Sequence, residues 1–321
     1  MSKYFFYPLQ PVKSQFSNSG YLMALLATII WSGNFIVARD LNQTYTPITI
    51  SFFRWLVATV VILPFALHYI KKDFSLLIRQ WRLLAVISFL GITVFNTLIY
   101  LAAHFTTVLN LSLLAITAPL YVVALNRIIY KEHITKTQAA GFLILIFGLL
   151  LLLSKGQLGT LLQLTFNKGD LLMGGAAALF AIYTVLIKKK NPAIGNLSFV
   201  SVTFLLGLLM LFPFFAVERL LHPTPMAFTG RSVFQLLYIG VGPSVISYYL
   251  WNKSIALIGS TPAATIYNTL PVYSALLAAL FLGEKVLWIQ VISSILILSG
   301  VLIVIQRGGS SEYRSPLVAK D

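Results

Sequence analysis

Ten runs of about 20 mostly apolar residues follow one another along this chain, and they decide what it can fold into. They cover 20–40, 47–70, 82–102, 105–129, 136–154, 169–188, 196–217, 231–252, 260–282 and 286–306. A helix of that length crosses the hydrocarbon core and satisfies its own backbone groups on the way. Apolar residues make up 58% of the chain and charged residues 10%, against about 25% charged in a soluble domain. The fold class expected is an all-α membrane protein with ten transmembrane helices.

Gly, Pro, Asn and charge clusters separate the runs, as in the KKDF that starts at Lys71 and the KKKNP that starts at Lys188. Residues 1–19 have no charged start, apolar core and small-residue cleavage site in series, so they read as a cytoplasmic tail and no signal peptide. Residues 20–155 form a first five-helix unit, 156–168 an outer loop and 169–308 a second five-helix unit. Residues 309–321 read as a disordered cytoplasmic tail.

With the N-terminus placed inside, the inner segments hold 16 Lys and Arg, among them Lys71, Lys72, Arg127, Lys131 and Lys188 to Lys190. The outer segments hold far fewer cations, Arg39, Lys155, Lys168, Arg219, Arg231 and Lys285. The positive-inside rule then puts both termini in the cytoplasm. The net charge of +15 is explained by these loops, with no basic stripe, and no nucleic-acid partner is expected. There is no cysteine, and the four histidines have no paired ligand spacing, so no metal or other cofactor is expected.

The chain repeats itself. A shift of 152 lays Thr117 on Thr269, Pro119 on Pro271, Glu132 on Glu284 and Gly148 on Gly300. A shift of 151 lays Asn96 on Ser247 and Tyr100 on Trp251, and a shift of 149 lays Trp31 on Phe180, Asn34 on Tyr183 and Arg39 on Lys188. Five helices per half is an odd number, so the second half enters the membrane inverted. The loop charges swap accordingly: Arg127, Lys131 and Lys136 follow helix four, but only Glu284 and Lys285 follow helix nine. Inverted repeats are a transporter architecture, with the substrate between the halves near the midplane.

These residues resemble the drug/metabolite transporter superfamily, EamA type. Trp31 to Arg39 (WSGNFIVAR) is similar to its opening motif, and each half closes with a Pro, a Glu and a Gly-containing helix. The resemblance implies ten helices in two inverted repeats, a bacterial inner membrane, and efflux or exchange of small metabolites, often amino acids. Arg54 falls opposite Thr203 and so has no symmetric partner.

Thr93, Asn96, Tyr100 and His104 share one face of helix three, and Ser244, Ser247, Tyr248 and Trp251 lie in matching register on helix eight. Such stripes are expected to face each other across a cavity, because polar groups in lipid lack partners. The alternative is interhelical hydrogen bonding that only holds the bundle together. Pro119 and Pro271 are candidate hinges, with Thr117, Tyr267 and Thr269 close by. Trp31, Asn34 and Tyr183 extend the candidate substrate-binding set on helices one and six. Arg54 is the one charge placed inside a span; snorkelling to the outer surface or pairing with Asp40 is expected, the alternative being a hold on a substrate carboxylate or helix end. Glu132 and Glu284 read as structural helix-end charges.

The expected function is transport of small neutral or zwitterionic metabolites such as amino acids, by alternating access. All eight carboxylates are assigned to loops, tails or helix ends, which favours uncoupled movement, with His104 the one candidate proton group. Two alternatives are an exchanger of nucleotide-sugar or cofactor-type metabolites and a non-transporting receptor or scaffold. An intramembrane enzyme would need a nucleophile and base at depth, and no such set is present. The expected partners are a small-molecule substrate and the bilayer; a homo-oligomer is left open.

Overall fold

The structure is a computed structural model that describes residues 18–306, apart from 107–110, 112–113, 155, 158, 160–166, 222, 224–225 and 283–286. The C-terminal tail, most of the N-terminal tail, Glu284 and Lys285 lie outside the described residues, as does the side chain of Arg39.

The described residues form helices and connecting turns, with no strand among them. In chain order these are α1 (Asn18–Ser32), α2 (Asn34–Leu41), α3 (Pro47–Arg79), α4 (Trp81–Ser88), α5 (Phe95–Phe105), α6 (Ala118–Tyr130) and α7 (Lys136–Leu153). The second half supplies α8 (Lys168–Leu186), α9 (Asn196–Leu221), α10 (Gly230–Gly240), α11 (Ser247–Ile258), α12 (Ser260–Tyr267), α13 (Leu270–Leu282) and α14 (Trp288–Gln306). Six helices are long and apolar enough to cross a bilayer by length and composition: Pro47–Arg79, Trp81–Phe105, Lys168–Lys189, Asn196–Leu221, Gly230–Ile258 and Trp288–Ile305. The Ala118–Tyr130 and Lys136–Leu152 segments are shorter apolar helices.

Their starts are chemically marked. Thr46 caps α3 by accepting from the Thr49 amide, and Pro47 occupies the first turn, where a missing N–H costs nothing. Capping boxes start α7 (Thr135 and Gln138), α8 (Asn167 and Asp170) and α10 (Thr229 and Ser232).

The two halves pack as the repeat demands. Helix α1 lies on α11, and its repeat-related pair α5 lies on α8. Helix α3 pairs with α9, and α7 with α14, each with its own equivalent. The α7–α14 seam is a backbone contact. A Cβ on Gly300 would sit 2.7 Å from the Gly141 carbonyl oxygen, and one on Gly148 2.9 Å from the Ile297 amide nitrogen. Close approach through small residues is how helices associate without a hydrophobic drive between them. The outer surface is apolar: Phe65 is 71% exposed, Leu220 80% and Trp288 83%. Apolar side chains spread that widely over the outside fit a lipid-facing wall.

Both ends of the α3–α9 pair are tied by a carboxylate. At one end Asp73, on α3, accepts from the Gly195 amide at 2.9 Å and the Ser198 hydroxyl at 2.6 Å. At the other, Glu218, on α9, accepts from the hydroxyls of Thr46 at 2.6 Å and Thr49 at 2.8 Å. Thr46 and Gly195, like Thr49 and Ser198, are 149 residues apart, the shift that aligns the first helices of the halves. Helix α3 therefore runs past the expected end at 70 to Arg79, and Asp73 is a buried helix residue, not a loop carboxylate. Burial pushes the Lys190 ammonium pKa down, and Asp73 opposes that shift.

Among the described residues two breaks lie beside the expected interruptions at Pro119 and Pro271, and one in the first run is additional. The first span is broken at Gly33, where any side chain would collide with the Tyr238 hydroxyl. Spans four and nine break just before their prolines, at turns centred on Thr117 and Thr269, so Pro119 and Pro271 each stand second in a new helix. That first-turn position suits proline better than the helix interior. In both turns the threonine hydroxyl donates three residues back, Thr117 to the Leu114 carbonyl at 2.6 Å and Thr269 to that of Ile266 at 2.7 Å.

Candidate functional site

Two further irregularities place the site. A π-helical turn spans Phe89–Val94 between α4 and α5, and another spans Val241–Ile246 between α10 and α11. They lie 152 residues apart, one more than the shift of 151 that aligns Asn96 with Ser247. In structural register Asn96 therefore corresponds to Tyr248. π-turns widen the helix and offer backbone carbonyls sideways, often at functional positions.

The two turns use equivalent carbonyls, Gly91 and Pro243, again 152 apart. The Gly91 oxygen accepts from Asn96 Nδ2 at 3.3 Å and the Tyr248 hydroxyl at 3.1 Å, and Asn96 Nδ2 also donates to the Tyr248 oxygen at 3.0 Å. The Pro243 oxygen accepts from Trp31 Nε1 at 2.7 Å and Arg54 Nη2 at 3.3 Å.

Between these turns lies a cavity lined by Trp31, Asn34, Arg54, Phe95, Asn96 and Ile99 from the first half and Phe180, Tyr248, Tyr267 and Leu270 from the second. The space it leaves for water centres is about 20 Å³, room for about one water molecule. Two repeat-related pairs meet across it. The Trp31 ring stands edge-on to Phe180 at 5.7 Å, and Asn96 bonds to Tyr248. Trp31 is also 5.8 Å from Tyr248 and from Tyr267, and Phe180 is 5.3 Å from Tyr267. Such edge-on and tilted packing is favourable and stiff.

Arg54 overturns the expectation of snorkelling or pairing with Asp40. It is 2% exposed. Its Nε donates to the Ser244 hydroxyl at 2.7 Å, and its Nη1 to the Tyr100 hydroxyl at 2.9 Å and Asn34 Oδ1 at 3.3 Å. Its guanidinium carbon also lies 5.2 Å from the centre of the Trp55 ring. Asp40 is taken by Arg231 at 2.9 Å and Gln235 at 2.6 Å.

The remaining candidates divide by what they touch. Tyr100 and Ser244 stand behind Arg54, and Ser244 also donates to the Ile239 carbonyl at 2.8 Å. Tyr183 donates to Asn252 Oδ1 at 3.0 Å, and Trp251 packs 5.2 Å from Trp31, both just outside the lining. Thr93 donates across to the Gly207 carbonyl on α9 at 2.9 Å, and Ser247 donates five residues back to the Gly242 carbonyl of the second π-turn at 3.1 Å. Thr117 and Thr269 cap their turns. His104 is exposed at the end of α5, beside Phe105. Phe95, Ile99 and Leu270 carry no polar signal, and sequence reasoning passes over them; only a helical wheel centred on Asn96 places Ile99 with it.

Glu132 reaches across to the second half. It forms an ion pair with Lys188 of the other half at 2.6 Å, and its second oxygen accepts from Thr261 at 3.1 Å. Lys188 lies 4.0 Å from the centre of the Tyr130 ring.

The pattern of the EamA-like transporter family matches residues 18–154 and 167–306, one segment for each half. An uncharacterized transporter of Archaeoglobus fulgidus is 27% identical over 283 residues, 88% of this chain and 95% of that one. The uncharacterized transporter YyaM of Bacillus subtilis is 26% identical over 287 residues, 88% of this chain and 92% of its own. A probable amino-acid metabolite efflux pump of Escherichia coli is 21% identical over 289 residues, 88% and 93% of the two chains. One solved crystal structure superposes with a TM-score of 0.72 at 18% identity, over 90% of this chain and 96% of the other, a likeness of fold. Two helical halves, an apolar outer wall, a cavity between the halves and a family pattern that covers both lead to one conclusion: this multi-pass membrane protein belongs to the EamA-like transporter family.

Proposed function

We propose that the protein exports small neutral or zwitterionic metabolites of amino-acid size by alternating access between its two halves. The observation that carries this reading is the cavity itself. Its walls come from both repeats, and equivalent residues oppose each other across it. With room for about one water, it admits a metabolite only when the halves separate, which is the motion an inverted repeat supplies. Aromatic faces suit an apolar body, and Asn34, Asn96 and the tyrosine hydroxyls suit polar ends. The E. coli relative's name supports amino acids and the outward direction. Ten spans, the inner membrane and cytoplasmic termini complete the reading, on the run lengths and loop charges. None of the cavity-lining residues is a carboxylate or histidine, which supports uncoupled movement.

Liposomes holding purified protein and loaded with labelled amino acids test this. A subset should leave down its gradient without a pH difference, and Trp31→Ala or Asn96→Ala should cut the rate by about tenfold or more, the scale of one lost binding contact. A rate that those folded variants leave unchanged would contradict the site.

A further inference from the structure

We infer that the cavity recognises its substrate by a carboxylate held on Arg54, and that the amine of an amino acid is not read. The inference rests on the cavity being the transport site and goes beyond that reading in substrate class: organic carboxylates with an apolar or aromatic body, anionic acids as well as zwitterions. The first support is charge. Arg54 is buried, and the groups it donates to are neutral: a hydroxyl, a phenol, an amide oxygen and a backbone carbonyl. Among the described residues no carboxylate pairs with it, and none of the lining residues is acidic. A guanidinium held in a low-dielectric interior without a counter-charge is costly, and an anion entering the cavity removes that cost.

Donor geometry is the second support. A guanidinium carries five N–H groups in a planar fork that fits a carboxylate. Four are engaged, one on Nε, two on Nη1 and one on Nη2, leaving one on Nη2 without a partner among the described residues. The Asn34 and Pro243 bonds are both 3.3 Å long, at the weak end for N–H···O, and are the ones a charge-assisted bond would replace. Ser244 and Tyr100, at 2.7 and 2.9 Å, would hold the fork in place.

The third support is what shares the cavity with it. Trp31, Phe180 and Tyr267 line the same cavity, Trp31 sharing the Pro243 carbonyl with Arg54, and no anionic side chain stands among the lining residues to receive an ammonium. A zwitterion is then held by its carboxylate, and a deaminated acid of the same shape should serve as well.

The test uses the wild-type protein in detergent and three sets of probes: amino acids with apolar side chains, their deaminated carboxylates such as 3-phenylpropanoate, and their carboxamides such as phenylalaninamide. Binding is read by tryptophan fluorescence and by thermal shift. Acids with and without the amine should bind within a few-fold of each other, and carboxamides about tenfold weaker or worse. Arg54→Gln should remove the preference, and Arg54→Lys, a charge without the fork, should weaken it. Carboxamides that bind as well as the acids, or no carboxylate of the panel bound at all, would overturn the inference without reliance on any variant. Carboxylate binding without flux in liposomes would leave this inference standing and remove the carrier reading. Flux of a neutral solute that Arg54→Gln leaves unchanged would do the reverse.

Discussion

Asn96 and Tyr248 illustrate how single residues set the site. They are repeat equivalents in structural register, they bond to each other, and both bond to the carbonyl of Gly91. Removing the phenol oxygen leaves that carbonyl with one donor and takes a partner from Asn96. Tyr248→Phe is therefore expected to lower stability by about 1–3 kcal/mol, the cost of a broken buried hydrogen-bond pair, read as a fall in unfolding temperature. No change would mean that these bonds do not support the π-turn. Both residues are visible in the sequence as polar groups within an apolar run; their bond is not, because it joins positions 152 apart. Arg54 shows the same limit more sharply. Its depth within a span is legible, but its partners Ser244 and Pro243 stand 190 and 189 residues away, and a local reading offers Asp40 instead.

At the scale of elements, the proline-side breaks and the π-turns come in repeat-related pairs, while the break at Gly33 has no counterpart in the continuous α8. The breaks in spans four and nine have a mark in the sequence, Pro119 and Pro271, since proline removes a backbone donor, but Pro64 and Pro213 lie inside the unbroken α3 and α9, so a proline alone does not locate a break. The π-turns carry no such mark: Phe89–Val94 reads FLGITV and Val241–Ile246 reads VGPSVI, with only the Gly and the second turn's proline as hints. Irregular backbone at membrane depth is tolerated where protein or a cavity supplies partners, and here Asn96, Tyr248, Trp31 and Arg54 supply them. The regular elements make a different prediction. The α7–α14 seam leaves no room at Gly300, while a Cβ on Gly174 meets nothing within 4 Å. Gly300→Ala should destabilise by about 1–3 kcal/mol through overpacking, whereas Gly174→Ala should be neutral or stabilise by up to about 1 kcal/mol through helix propensity. Thermal unfolding of the two variants side by side checks this, and equal behaviour would contradict the seam.

For the whole molecule, the inverted repeat organises both what is fixed and what can move. The α3–α9 pair is tied at both ends by carboxylates, Asp73 and Glu218, that accept from repeat-related donors, which makes it the pivot of the proposed motion. The Glu132–Lys188 and Asp40–Arg231 ion pairs each join the two halves, and both are contacts that separation of the halves would break. The two-half organisation is legible from offsets near 150 residues and from swapped loop charge. The pairing of α1 with α11 and of α5 with α8 is not, since apolar helices carry little information about which neighbour they face.

The central claim is that the cavity between the halves opens alternately to the two sides of the membrane. The chain has no cysteine, so a single one can be placed in the cavity wall at Ile99, which makes no polar contact there. Ile99→Cys in vesicles of known orientation is exposed to a membrane-impermeant maleimide from one side or the other. The account predicts labelling from both sides, with a transported substrate slowing it from each. Labelling from one side only, in protein that still folds and moves substrate, would contradict it.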